Sequence, residues 1–63
     1  MTWIIDHKVA RFSAVMNGVG RINKAAGSDV VRYVGPTEGH ETDDEAAMKK
    51  LRSLGAKITI KET

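Results

Sequence analysis

Cysteine is absent from this 63-residue chain, and Trp, Tyr, Phe and Pro each occur once. Without cysteine there are no disulfides or thiolate-bound metals to stabilise the fold, and no thiol nucleophile for catalysis. A chain this short buries only roughly 60% of the surface that its unfolded form exposes, which leaves a small core. We therefore expect one small domain, residues 1–63, that depends on close local packing or on self-association as a homodimer.

Long apolar stretches are also missing. The N-terminal sequence Met-Thr-Trp-Ile-Ile-Asp reaches a charge after three consecutive apolar residues, too few for a signal peptide or a membrane span. Together with the lack of cysteine, this predicts a cytoplasmic protein with no membrane partner.

The net charge of +2 is too small to indicate a nucleic-acid partner by itself. It is unevenly distributed, because residues 1–35 contain five basic and two acidic residues (+3), whereas residues 36–63 contain five and six (−1). Such asymmetry can direct an acidic partner to one end of a domain.

Residues 7–27 are compatible with a helix or with a hairpin. The helix would begin at an N-cap, Asp6, and end at Gly27. Its apolar face would contain residues spaced alternately by four and three: Ile5, Val9, Phe12, Met16, Val19, Asn23 and Ala26. A hairpin turning at Asn17-Gly18 would mix Phe and Met with Arg and Asn on one face, which favours the helix. Because each internal glycine costs roughly 1 kcal/mol relative to alanine, we expect a kink or a break near residues 17–20.

The rest of the chain has clearer signals. Strands are predicted at residues 3–5, 30–34 and 57–61, the last with Ile58 and Ile60 facing inward, and residues 37–41 are predicted to form a polar loop. A capping box from Thr42 to Glu45 would start a second helix that ends at Leu54. Its apolar face would contain Ala47, Met48, Leu51 and Leu54. The fold class is therefore α+β, in the order β-α-β-α-β, with two helices packed on one face of a small sheet.

Residues 8–15 (KVARFSAV), 18–20 (GVG), 43–51 (DDEAAMKKL) and 55–61 (GAKITIK) resemble the C-terminal domain of the bacterial ribosomal stalk protein L7/L12. The resemblance implies a related fold, with the glycines at a junction between two helices. It also implies contact with translation factors through the first helix. Ser13 and Met16 stand where that family's pattern has basic residues.

Few residues are candidates for catalysis or for binding a nucleotide or a metal ion. Asn17-Gly18-Val19-Gly20 is not a nucleotide-binding fingerprint, because position 23 is Asn rather than a third glycine. Residues 38–45 surround His40 with carboxylates, but their spacing matches no calcium loop, and they suit a helix N-terminus better. No serine lies in a nucleophile elbow. We predict a non-enzymatic protein without metal or cofactor.

Two surfaces are candidate binding sites. The first helix has a basic flank, which includes His7, and a line of small residues at 10, 14 and 18 that would admit another element closely. The predicted partner-binding residues are Lys8, Arg11, Ala14, Gly18, Arg21 and Lys24. The leading prediction is an interaction module that docks on a larger protein assembly, either translational or a host complex inhibited by a phage-type protein.

The alternative is a small basic nucleic-acid-binding protein that uses either the basic first helix or the open sheet face, with Trp3 or Tyr33 among the basic residues of that face. The residues predicted to bind nucleic acid are Arg32, Lys57 and Lys61.

Overall fold

The structure is a computed structural model that describes residues 1–6 and 8–61. The elements in chain order are β1 (Thr2–Asp6), α1 (Phe12–Ala26), β2 (Val31–Gly35), β3 (Gly39–Thr42), α2 (Glu45–Ser53) and β4 (Lys57–Lys61). The strands form one antiparallel sheet in the order β2-β3-β1-β4. This is the split β-α-β arrangement of ferredoxin-like folds. The α+β class and the order of the predicted elements are confirmed.

Strand β3 is an addition to that prediction, since it forms in the segment expected to be a polar loop. It lies inside the sheet, where Ile5 of β1 and Tyr33 of β2 both stand opposite His40. His40 and Thr42 are buried on the helix side, whereas Glu41 faces the other way. Pairing on both edges holds a polar segment extended, against its weak intrinsic preference for β-structure.

The core lies between the sheet and the two helices. Its buried members from the sheet are Ile5 and Val31, with Ile58 packed against them, and α1 and α2 contribute Val15, Val19 and Leu51. The predicted apolar face of α1 was right at Val19, which is buried, but it included Phe12, which is 49% exposed, and omitted Val15, which is fully buried. The face formed by residues 15, 19 and 22 has the same spacing as the predicted one, so periodicity could not separate the two. Ile60, expected to be inward, is 54% exposed on the edge strand β4.

Helix α1 is continuous from Phe12 to Ala26, so the expected break near residues 17–20 is absent. A Cβ atom at Gly18 would collide with Leu54 and would lie 3.2 Å from Leu51 Cδ2. Gly18 therefore permits the close approach of α2 and does not interrupt the helix. The predicted end at Gly27 is confirmed, because Gly27 adopts φ 70° and its N–H donates to the Asn23 carbonyl.

Both predicted N-caps were wrong. Asp6 belongs to β1, where its carboxylate accepts from the Lys8 N–H at 2.8 Å. The N-cap of α2 is Asp44, whose carboxylate accepts from the Ala47 N–H at 3.0 Å. The Thr42 hydroxyl is committed elsewhere, because it donates to the Val30 carbonyl at 2.9 Å and accepts from the Asp44 N–H at 3.1 Å.

Asn23 joins the last turn of α1 to the outer edge of β2. Its Nδ2 group donates to the Val31 carbonyl (3.0 Å), and its Oδ1 accepts from the Val31 N–H (2.9 Å). The side chain thus pairs with Val31 as the backbone of a neighbouring strand would. It satisfies the Val31 N–H and C=O groups, which would otherwise be unpaired at the sheet edge.

Replacing Asn23 by alanine should remove both hydrogen bonds and lower the free energy of unfolding by about 1–3 kcal/mol. Urea denaturation followed by circular dichroism measures this change. Asn17→Ala, on the exposed side of the same helix, is the control and should change stability by less than about 0.5 kcal/mol. Equal effects of the two substitutions would contradict the proposed role of Asn23.

Gly20, inside α1, and Gly27, at its C-cap, should respond in opposite directions to substitution by alanine. Gly20 is helical and has no atom within 4 Å of a built Cβ, so Gly20→Ala should stabilise the protein by about 0.5–1 kcal/mol. Gly27 has a left-handed backbone, so Gly27→Ala should destabilise it by about 1 kcal/mol. Thermal unfolding measures both changes, and a destabilising Gly20→Ala would indicate that α1 is interrupted after all.

Candidate functional site

A cleft of about 270 Å³ lies between α1 and α2. The α1 residues that line it are Ala14, Asn17, Gly18, Arg21 and Ile22, and the opposite wall consists of Lys50 of α2 and its C-cap residue, Leu54. Residues 14, 18 and 21 fall on one side of α1, because side chains three and four positions apart are neighbours on a helix. The small side chain of Ala14 leaves part of the space that the cleft occupies, whereas Leu54 fills the space beside Gly18.

A second depression of about 360 Å³ continues from this cleft and shares Ile22 and Lys50 with it. Its remaining walls are mostly small and apolar: Ala25, Ala26, Val30, Ala46 and Ala47, with Asp44 as the acidic member. We refer to the cleft and this depression together as the interhelical groove. Its two parts differ in chemistry, because Arg21 lines only the first part and most of the alanines line the second.

The cleft end of the interhelical groove is positively charged. Arg21 and Lys50 both line it, and neither forms a salt bridge with any residue in the ranges 1–6 and 8–61. Arg32, Lys49 and Lys61 do form salt bridges, as Lys49 does with Glu45 at 3.7 Å. The basic residues outside the groove that form none in these ranges are Lys8, Arg11, Lys24, Arg52 and Lys57. Two like charges beside an apolar surface form a region of positive potential that attracts anionic groups.

The structure brings together three of the six predicted partner-binding residues, namely Ala14, Gly18 and Arg21. Lys8 lies in the connection between β1 and α1, Lys24 is exposed in the last turn of α1, and the Arg11 side chain lies against Gly55. None of these three lines the groove. His7 lies outside the described residues.

Sequence reasoning missed Asn17, Ile22, Lys50 and Leu54 as lining residues. Asn17 and Arg21 are four positions apart, as are Lys50 and Leu54, so the spacing in each segment already placed the two residues of each pair on the same side of a helix. That the two helices face each other at these positions follows only from their packing.

The open face of the sheet does carry the three residues of the nucleic-acid alternative, but acidic groups balance them. Glu41 lies 3.4 Å from Arg32 and 3.2 Å from Lys61, and Asp43 lies 3.3 Å from Arg32. Lys57 stands opposite Asp6 in the β1–β4 register. Three basic and three acidic residues thus share this face.

The aromatic residues expected beside these charges are elsewhere. Trp3 packs against the core, and Tyr33 stands opposite buried His40 on the helix side of the sheet. The Tyr33 and His40 rings meet edge to face, with centroids 5.3 Å apart. In the described part of the chain, the open face therefore lacks the base-stacking platform that single-strand binders use.

Among the described residues, no three His, Cys, Asp or Glu side chains are grouped so as to hold a metal ion. Over the same residues, neither helix has the length and apolar character needed to cross a bilayer.

Comparisons with protein-family models, with curated proteins and with solved structures found no significant match to this chain. The resemblance to the ribosomal stalk domain stays a prediction.

The hydrogen bond that the Thr2 hydroxyl donates to Asp43 lowers the pKa of this carboxyl below its usual 3.8, and Arg32 adds to the effect. Because the folded-state pKa is depressed, the stabilisation is present above the unfolded pKa and is lost as the pH falls through the folded value. Thr2→Val should therefore raise the Asp43 pKa, as measured by carboxyl-carbon NMR titration. Thr59→Val, on the same open face, should leave it unchanged, and an unshifted Asp43 pKa in Thr2→Val would contradict this assignment.

Proposed function

We propose that this protein is a non-catalytic interaction module of the cytoplasm that docks on a larger protein through the interhelical groove. The observation that carries the proposal is the groove itself, where two depressions of about 270 and 360 Å³ share Ile22 and Lys50. A domain of this size needs its apolar residues for its own core, so a groove with an apolar lining fits a surface that a partner covers.

The shape of the groove supports a protein partner. Ala14 presents only a methyl group, so a segment of the partner can approach α1 closely there, whereas Gly18 is already covered by Leu54. Ile22 and Leu54 pack against the core, and this packing fixes the position of the surfaces that they present to the groove. Preformed grooves of this kind bind peptide segments without large rearrangement.

The charge distribution favours this function over nucleic-acid binding by the sheet. The basic residues of the open face already have acidic neighbours, so phosphates would have to compete with Glu41 and Asp43 for Arg32. Arg21 and Lys50 form no salt bridge with any described residue, and the one acidic residue of the groove lining is Asp44.

Filling the cleft should abolish docking. Ala14→Trp places a large ring between the helices, and we expect the partner retained from cell lysate by the wild-type protein to fall about tenfold or more. Thr59→Trp on the open sheet face is the control and should retain the partner fully. Circular dichroism and thermal unfolding show that both variants are folded, and quantitative mass spectrometry measures the retained protein.

Undiminished retention by folded Ala14→Trp would overturn the proposal. Retention that nuclease treatment removes, or that Lys57→Ala weakens, would instead support nucleic-acid binding. The mass spectra also distinguish a translational partner, which the resemblance implies, from a host enzyme of another kind.

A further inference from the structure

We propose that the occupant of the interhelical groove is an acidic amphipathic helix of the partner protein. Its carboxylates would lie between Arg21 and Lys50, and its small apolar residues would lie along the alanine-rich half. This inference rests on the proposed docking function and adds the chemistry of the partner.

The length of the groove fits a helix of about three turns. Its α1 side runs from Ala14 to Ala26, which at 1.5 Å per residue corresponds to roughly 18 Å. Ala25 and Ala26 of α1 line the depression together with Ala46 and Ala47 of α2. Such small side chains allow a third helix to pack against both α1 and α2, as in helix-in-groove recognition.

The electrostatics select an acidic helix over a basic or neutral one. Arg21 lines the cleft and Lys50 lines both parts of the groove, and Asn17 adds an amide that can donate beside them. A guanidinium group binds a carboxylate through two parallel hydrogen bonds, which fixes the orientation of the partner as well as attracting it. A basic helix would bring like charges together at this end, which is unfavourable.

The second half of the groove argues against a nucleic-acid strand as the occupant. Its lining is apolar and includes Asp44, so a polyphosphate running along it would meet no basic residue beyond Lys50 and would face a carboxylate. An acidic amphipathic helix suits both parts of the groove, because its acidic residues contact the basic cleft and its apolar residues contact the alanines.

The probe is a synthetic helical peptide of about 14 residues with blocked termini, roughly 20 Å long. Glutamates occupy one face of its first half, and alanine and leucine occupy the same face of its second half. A second peptide replaces every glutamate by glutamine. Titration of ¹⁵N-labelled protein followed by NMR should shift the amide signals of Asn17, Gly18, Arg21 and Lys50, with about tenfold weaker binding of the glutamine peptide.

Removing the two groove cations should have the same effect as removing the glutamates. The double variant Arg21→Gln/Lys50→Gln should bind the acidic peptide about tenfold more weakly and should not distinguish it from the glutamine peptide. The control, Lys8→Gln/Arg52→Gln, loses the same charge outside the groove and should bind as the wild type does. A spin label at the glutamate end should broaden the Arg21 signal, and one at the apolar end should broaden Ala46.

Equal binding of the two peptides, or shifts confined to the open sheet face, would overturn the proposed acidic helix. Tighter binding of a single-stranded oligonucleotide in the groove, lost in Arg21→Gln/Lys50→Gln, would overturn it in favour of phosphate. A self-association that the peptide cannot displace would show that a second copy of this chain is the occupant. Failure of the peptide while Ala14→Trp still abolishes partner retention would reject the acidic chemistry and leave the docking function standing.

Discussion

The close packing of α2 against α1 at Gly18 is the contact on which both the core and the groove depend. No side chain larger than hydrogen fits at position 18 without displacing Leu54, and Leu51 is completely buried in the same region. This packing brings Leu51 into the core beside Val15 and Val19. It also sets the depth of the cleft, because the same glycine forms part of its wall.

Polar tethers supplement the small core. Asn23 holds the end of α1 against the edge of β2, and Thr42 connects β3 to Val30 and to the start of α2. Each tether satisfies backbone groups that would be costly to leave unpaired near the core. In a domain with few apolar residues to bury, these bonds fix where the helix ends meet the sheet, and they position the walls of the groove.

Charge is arranged differently on the two sides of the molecule. On the open face of the sheet, Glu41 lies between Arg32 and Lys61, so the charges neutralise one another at short range. Within the described residues, Arg21 and Lys50 on the helical side form no salt bridge. The modest net charge of the whole chain hides this contrast, which arises only when the strands and helices bring distant residues together. The asymmetry favours the helical side as the binding surface.

Local patterns in the sequence determined much of the fold. Helical spacing over residues 7–27 favoured a helix over a hairpin, the glycine at 27 ended α1, and alternation identified β4. Those signals are strong because each depends only on residues that are close together in the sequence.

The packing of the elements decided the rest. Packing placed Val15, and not Phe12, on the inward side of α1, because helical spacing fits a face through either residue equally well. It drew the polar residues 39–42 into the sheet, since backbone pairing on two edges outweighs weak propensity. It also brought Lys50 opposite Arg21, because the distance between two helices is set by the side chains at their contact and cannot be read from either helix alone.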